Sequence, residues 1–383
     1  MLRRILCFAL ALILMFSAYA FTAAYADTFD TDFVNYVREH NADENFIVSP
    51  LSYRAALLLA LEGAGGETES QLLRALGFET KADAKAWYGA VRESVDRFDA
   101  VKETGFKYRV LSSVWNNADM TGDFRAEYVR AAQEKYGAEI RCEKALEITD
   151  AVNNWCSEAT DGLIPAIAAD LSESACVLVN AVYLKTAWKD AFEEYLTCRE
   201  EFTCADGCTA YKDMMKAKDR YRYFEDEDSK LVVVPLRGGL YFVAVLGDDS
   251  DWMEQYAAAR YDDVDLWLPK LDTESDFGKE TLLGYLAERG AADAFSPTKA
   301  DFSGMSETAW YIQSMLQKAR IKTDEDGLEA AAVTAIAYAL GAASTDYIEP
   351  HYKEFHADRP FTYYITAGSA NAPLVVFAGQ EVK

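Results

Sequence analysis

The run ACVLVNAVYL at 175–184 is apolar almost without a break, Asn180 being the main interruption. A strand with one wet face alternates apolar and polar residues, so an unbroken run belongs to a strand covered on both faces. Whatever this chain folds into must contain a sheet with such a strand inside it.

The surroundings tell where the cover comes from. The first part of the chain reads as helices over 32–40, 50–61, 67–76, 82–98, 123–135 and 149–159, with strands at 45–48 and 107–115. Ser49-Pro50 is an N-cap followed by a first-turn proline. The second part turns to strands at 231–236, 240–246, 264–268, 311–323, 360–366 and 374–379, with one helix over 279–289. The pair 231–236 and 240–246 flanks Arg237-Gly-Gly, a hairpin signal. Early helices and late strands are the pattern of an α+β fold.

One stretch fits neither class. DEDGLEAAAVTAIAYALGAASTD, 324–346, opens like a turn and then runs through alanine, β-branched residues, glycine and serine. It is too small for a core helix and too apolar for an ordinary linker, and it lies between two strand-like segments.

The chain opens MLRRILCFALALILMFSAYAFTAAYAD. A basic start, an apolar stretch and Ala24-Tyr25-Ala26 predict a secretory signal peptide over 1–26, and hence a secreted, extracellular protein with no membrane partner after cleavage. The alternative is an uncleaved anchor, since the apolar run is long enough to span a bilayer. The rest, 27–383, has no linker or repeat and is expected to form a single domain. A formal net charge of −25 argues against nucleic acid and anionic surfaces. Beyond the signal, the cysteines are Cys142, Cys156, Cys176, Cys198, Cys204 and Cys208; an exported chain of this size can pair them but does not need to. Cys176 reads as a buried thiol, and Cys204 and Cys208 straddle a turn. Cys198, Cys204 and Cys208 lack a fourth Cys or His at metal-ligand spacing, so no metal is expected. With His40, His351 and His356 as the only histidines, and no His-Glu-x-x-His, Gly-x-Ser-x-Gly or Gly-Lys-[Ser/Thr] motif, an enzyme is disfavoured.

Ordered segments over this whole span resemble the serpin family. They are NFIVSPLSYRAALLLALEGAGGETESQLLRALG (45–77), NNWCSEATDGLIPAI (153–167), VLVNAVYLKTAWKDAFEEYLTCREEFTCADG (177–207), LPKLDTESDFGKETLLGYLAERGAADAFSPTKADFSGMSE (268–307), DGLEAAAVT (326–334), FHADRPFTYYI (355–365) and APLVVFAGQEV (372–382). The resemblance implies a large central sheet, further sheets, eight or nine helices and an exposed reactive loop near 325–354. It implies a suicide-substrate inhibitor of a serine protease, acting as a monomer in a 1:1 covalent complex, with the cleaved loop inserted into the central sheet.

On that resemblance, Gly327, Leu328, Glu329, Ala330, Ala331, Ala332, Val333 and Thr334 form the hinge of the loop. Inserted as a strand, one face from 328 to 338 reads Leu, Ala, Ala, Thr, Ile, Tyr, which can be buried, while Glu329 opens the wet face. Gly327 is expected to supply a flexible turn. Candidates for the scissile bond lie at Leu340, Gly341, Ala342, Ala343 and Ser344. Small and aliphatic residues there suit an elastase-like or subtilisin-like protease, and Tyr338 or Tyr347 a chymotrypsin-like one. Ser49, Ser52 and Asn180 resemble the polar cluster beneath the point of sheet opening, with Trp188 at its top. Gln317 stands where most members carry histidine, so pH sensitivity is expected to be lost there. Leu328 replaces a smaller residue, whose bulk could slow insertion. The segment 86–100 carries Arg92 and Arg97 offset by Glu93, Asp96 and Asp99, so no heparin and no other cofactor is expected. The alternative function is a noninhibitory serpin, with a carrier, chaperone or storage role, cleaved as a simple substrate.

Overall fold

The computed structural model describes residues 29–100, 106–328 and 351–383. The expected signal peptide (1–26), hinge positions 329–334 and scissile candidates 340–344 lie outside the described residues. Helix α1 (29–40) leads into strand β1 (Phe46–Val48) and helices α2 (Pro50–Gly63), α3 (Gly66–Leu76) and α4 (Lys81–Asp99). Next come β2 (Lys107–Asn117), α5 (Ala126–Tyr136), β3 (Glu139–Glu143), α6 (Ile148–Ala159) and β4 (Cys176–Ala187). Four strands follow, β5 (Cys198–Thr203), β6 (Thr209–Glu225), β7 (Ser229–Pro235) and β8 (Leu240–Gly247). The chain then forms α7 (Trp252–Ala258), β9 (Arg260–Pro269), β10 (Asp272–Phe277), α8 (Lys279–Glu288) and β11 (Ser314–Lys322). Two-residue β12 (Gly327–Leu328), β13 (Lys353–His356), β14 (Phe361–Ser369) and β15 (Ala372–Glu381) complete it. The fold is α+β, as the order of elements predicts.

Two sheets hold these strands. One runs β10-β11-β4-β2-β3, with β12 added on β4. The other runs β1-β15-β14-β8-β7-β6-β9-β13, with β5 on β6. β4 lies inside the first sheet, and its alternating side chains feed two separate cores. Cys176, Leu178, Val182 and Leu184 join the main core with α2 and the second sheet. Val177, Val179 and Ala181 face the other way, onto Ile148, Val152 and Trp155 of α6 and the return segment through Ile164 and Ile167. Unbroken apolarity in the sequence thus reflects two covered faces, each needing its own apolar row.

α2 begins as the sequence reads: Ser49 Oγ accepts from the Ser52 N–H at 3.1 Å and Pro50 sits in the first turn. Its burial is nearly complete, and even Arg54 is fully enclosed. The hairpin at 237–239 turns on Gly238 and Gly239, both with positive φ, and a Cβ on Gly238 would meet the Phe98 ring at 2.2 Å.

Several boundaries differ from expectation, and two of them have a visible tertiary cause. β11 starts at Ser314 rather than Tyr311, because the Ile312 N–H is taken by the Ala294 carbonyl and the Gln313 side chain accepts from the Ala175 N–H. α5 starts at Ala126 rather than Asp123, because Phe124 bridges Ser306 and the Arg125 N–H bonds to the Met305 carbonyl. In both places a tertiary bond captures the backbone before the regular element can.

Candidate functional site: a forked seam and the hinge wedged into it

β4 and β11 are parallel neighbours, but their ladder covers only Val177–Asn180 against Ser314–Gln317. Both strands continue past that point, to Ala187 and Lys322. The last rung is Asn180 opposite Gln317. Beyond it, among the described residues, β11 keeps only its antiparallel partner β10, so the two strands part.

A buried polar cluster sits at the foot of the fork. Gln317 Oε1 accepts from the Ser49 N–H at 3.0 Å, and its Nε2 donates to the Ser49 carbonyl at 2.9 Å. Ser49 Oγ donates to the Val376 carbonyl at 2.6 Å. Ser52 Oγ donates to Asn180 Oδ1, and Asn180 Nδ2 donates to Ser112 Oγ at 2.6 Å. The structure therefore brings Ser49, Ser52, Asn180 and Gln317 together, all buried. Ser112, on β2 opposite Asn180, is a member that the sequence reading missed. Every polar atom engaged here would be costly to strand in this interior.

At the top of the fork lies β12. Gly327 and Leu328 pair antiparallel with Ala187 and Thr186 of β4, while Leu328 also bridges Thr323 at the end of β11. Leu328 is thus lodged between the two strands that have parted, and it is buried. A small cavity with about 10 Å³ of space borders it, lined among others by Leu184, Ile321, Leu163 and Phe377.

Gly327 has a different task from the flexible turn expected of it. A Cβ at this position would stand 2.4 Å from both Ala187 Cα and the Thr186 carbonyl oxygen. Both neighbours are backbone, so the glycine is required by close approach to β4. The reversal itself is made by 324–326: Asp324 Oδ1 accepts from the Asp326 N–H at 3.0 Å and the Gly327 N–H at 3.1 Å. This is an Asx-type turn, legible in principle from the Asp-x-x-Gly spacing.

Trp188 fastens that turn. Its backbone N–H donates to the Asp326 carbonyl at 2.9 Å and its indole Nε1–H to the Asp324 carbonyl at 2.8 Å. The Phe192 N–H takes the Glu325 carbonyl at 2.9 Å, and Phe192 and Phe242 stand edge-on to the Trp188 ring. Lys270 Nζ lies 2.8 Å from Glu325 Oε2. Burial pushes the Glu325 carboxyl up, but the Lys270 ammonium beside it outweighs that and leaves its pKa lowered. Burial raises Asp326, with Asp324 and Glu325 adding to the effect. Lys270, Asp324 and Glu325 are further residues that the sequence reading did not single out.

All six described cysteines are thiols. Cys176 is buried and its thiol pushed well up by that burial. Of the three cysteines weighed as a metal set, Cys204 and Cys208 come together with Asp206, while Cys198 donates to Glu200 at 3.2 Å. In α4, Arg97 is paired with Glu93 at 3.2 Å.

A family model described as Serpin (serine protease inhibitor) matches residues 24–382. The leukocyte elastase inhibitor of Sus scrofa is 28% identical over 367 residues, which cover 88% of this chain and 93% of that protein. The native state of the thermophilic serpin tengpin superposes with a TM-score of 0.79 at 26% identity, covering 95% of this chain and 94% of that one. Human thyroxine-binding globulin, in complex with thyroxine, gives a TM-score of 0.82 at 19% identity over 96% and 99% of the two chains, a likeness of fold alone.

Proposed function

The chain belongs to the serpin family, and from that premise we propose that it is a secreted suicide-substrate inhibitor of an extracellular serine protease. The observation that carries this reading is Leu328, held between Thr186 and Thr323 at the mouth of a fork that closes at Asn180–Gln317. A strand entering there would run antiparallel to both neighbours, the orientation β12 already has. Loop insertion in serpins is an established case of strand addition and of strain release.

In this reading the target attacks a bond among 340–344 and forms an acyl-enzyme. Before the ester hydrolyses, the freed segment after Leu328 enters the fork as a new strand and drags the protease with it. About a dozen residues gaining ladder bonds at roughly 0.5–1.5 kcal/mol each make available on the order of 10 kcal/mol. The native form is then kinetically trapped. Small residues at 340–344, together with relatives that inhibit leukocyte elastase, favour an elastase-like target. The inhibitor acts as a monomer, one to one with its target, without heparin.

A noninhibitory reading is favoured by one observation: Leu328 is larger than an entering strand needs and is already bedded in the sheet. Mixing the purified protein with an elastase, a subtilisin and a chymotrypsin, followed by denaturing gels and sequencing of the cut, separates the two. A detergent-stable band at the summed mass supports trapping. Cleavage within 338–347 with full protease activity remaining sinks it in favour of a simple substrate.

A further inference from the structure

The β5–β6 hairpin carries a pair of thiols that the inhibitory site does not use. Its register places Thr203 opposite Thr209, and the next residues inward on the turn are Cys204 and Cys208. The Cys204 N–H donates to the Cys208 carbonyl at 2.8 Å, so the two face each other across the ladder. The Cys208 N–H turns to Asp206 instead of back across the ladder, so the convergence of the two side chains is what bears on a bond between them. The side chains do converge: both sulfurs and an Asp206 carboxylate oxygen lie within 4.8 Å of one another. Asp206 is not free to approach as a third reactant, because it accepts the Cys208 N–H at 2.9 Å and shapes the turn with Gly207, whose N–H bonds to the Cys204 carbonyl.

The other described thiols are placed differently. Cys156 and Cys176 are buried in separate cores, Cys142 lies on β3, and Cys198 sits at the far end of β5 beside Glu200. Among the described thiols, only Cys204 and Cys208 meet. Cys204 is buried and Cys208 exposed, an asymmetry that sets the order of events.

We propose that Cys204 and Cys208 are a reversible dithiol–disulfide pair, oxidised by a low-molecular-weight disulfide of the glutathione class. The exposed Cys208 thiolate attacks one sulfur of that disulfide and expels one thiolate, giving a mixed disulfide. Cys204 then attacks the Cys208 sulfur and expels the second. Two S–H bonds are lost and one S–S bond is formed; the two protons end on the two expelled thiolates, so the external disulfide is reduced to two thiols. The first step is slow near neutrality, because the Cys208 thiol is pushed up to about 12 by its contact with Cys204 first and Asp206 second. Exchange depends on the thiolate, so the rate climbs with pH.

The bond would close the tip whose Thr203 N–H holds the Asp358 carbonyl at 2.8 Å and whose Ala205 N–H holds the Val382 carbonyl at 2.8 Å. The test is to equilibrate the purified protein in mixtures of oxidised and reduced glutathione, quench with an alkylating agent and map the peptides by mass. The expected result is a 204–208 link that reverses with excess reduced glutathione, with Cys198 and Cys142 alkylated throughout. Cys198→Ser should leave the link intact and Cys208→Ser should abolish it. A stable glutathione adduct on Cys208 without closure, or Cys198 bonded to either partner, would overturn the proposal. The readout needs no protease and is independent of the inhibitory reading.

Discussion

Gln317 grips both backbone polar atoms of Ser49, accepting from its N–H at 3.0 Å and donating to its carbonyl at 2.9 Å. An amide does this without titrating. Gln317→Leu strands two buried groups at about 1–3 kcal/mol each, and the expected outcome is a clearly lower thermal midpoint. Gln317→His should keep the bonds while neutral and lose the acceptor when protonated. Its midpoint is therefore expected to fall on acidification through the imidazole range by more than that of the parent protein; scans at several pH values decide it, and parallel curves would refute it.

The Lys270–Glu325 pair gives the hinge turn its own acid sensitivity. Glu325 has a lowered folded pKa against an ordinary 4.5, so its contribution is complete above that value and fades as pH falls through the folded one. The pair is partly exposed, and about 0.2–1 kcal/mol is its expected worth. Glu325→Gln should loosen the turn at neutral pH and match the parent in acid, read as hydrogen exchange at the Phe192 amide. Asp326 shifts the opposite way, in part because of Glu325 itself, so removing the Glu325 charge also relieves Asp326 and makes the loss smaller than the ion pair alone would give.

Gly327→Ala places a methyl group against the backbone of β4 at 2.4 Å. The expected result is expulsion of β12, seen as faster exchange at the amides of Thr186 and Ala187 and faster nicking by a broad-specificity protease. Unchanged exchange would mean that β4 can yield, contrary to the close packing.

Leu328→Thr removes bulk from the fork while keeping a β-branched residue that suits a strand. If insertion is the operative step, the ratio of covalent complex to cleaved product is expected to rise with each protease that cuts the loop. An unchanged ratio would show that this side chain does not govern the race with hydrolysis.

Arg54 is enclosed by the rings of Phe78, Trp87 and Phe29, with its guanidinium 4.4, 4.8 and 4.9 Å from their centres, and Asp30 lies 3.9 Å away. Arg54→Met removes the buried cation beside Asp30 and is expected to cost about 3–5 kcal/mol in stability. Adding Asp30→Leu should recover most of the loss in a denaturation series. No recovery would assign the cost to the cage packing instead.

Legibility followed the apolar pattern. β4, α2 and the 231–246 hairpin announce themselves because burial dictates their residues. β6 does not: TAYKDMMKAKDRYRYFE is mostly charged and aromatic, and its ladders come from the flanking hairpin strands β5 and β7 and, across a long separation, from β9. β10, DTESDF, has no apolar alternation to mark it, and it pairs with β11 residue by residue. At the site, Ser49, Ser52, Asn180, Trp188 and Gln317 were reached through resemblance to a family, whereas Ser112 and Lys270 are neighbours only in space. Nothing along the chain marks them.

The twelve buried side chains gathered under α6 and its return segment form a core separate from the main one, pinned at the edge by Lys107 and Asp161 and by Asn153 to the backbone of Ile167 and Ala168. Cooperative units with their own cores open with their own free energies. On the inhibitory reading proposed above, that separate core would serve as a hatch over the forked sheet, lifting and reseating around an extra strand while the foundations stay folded.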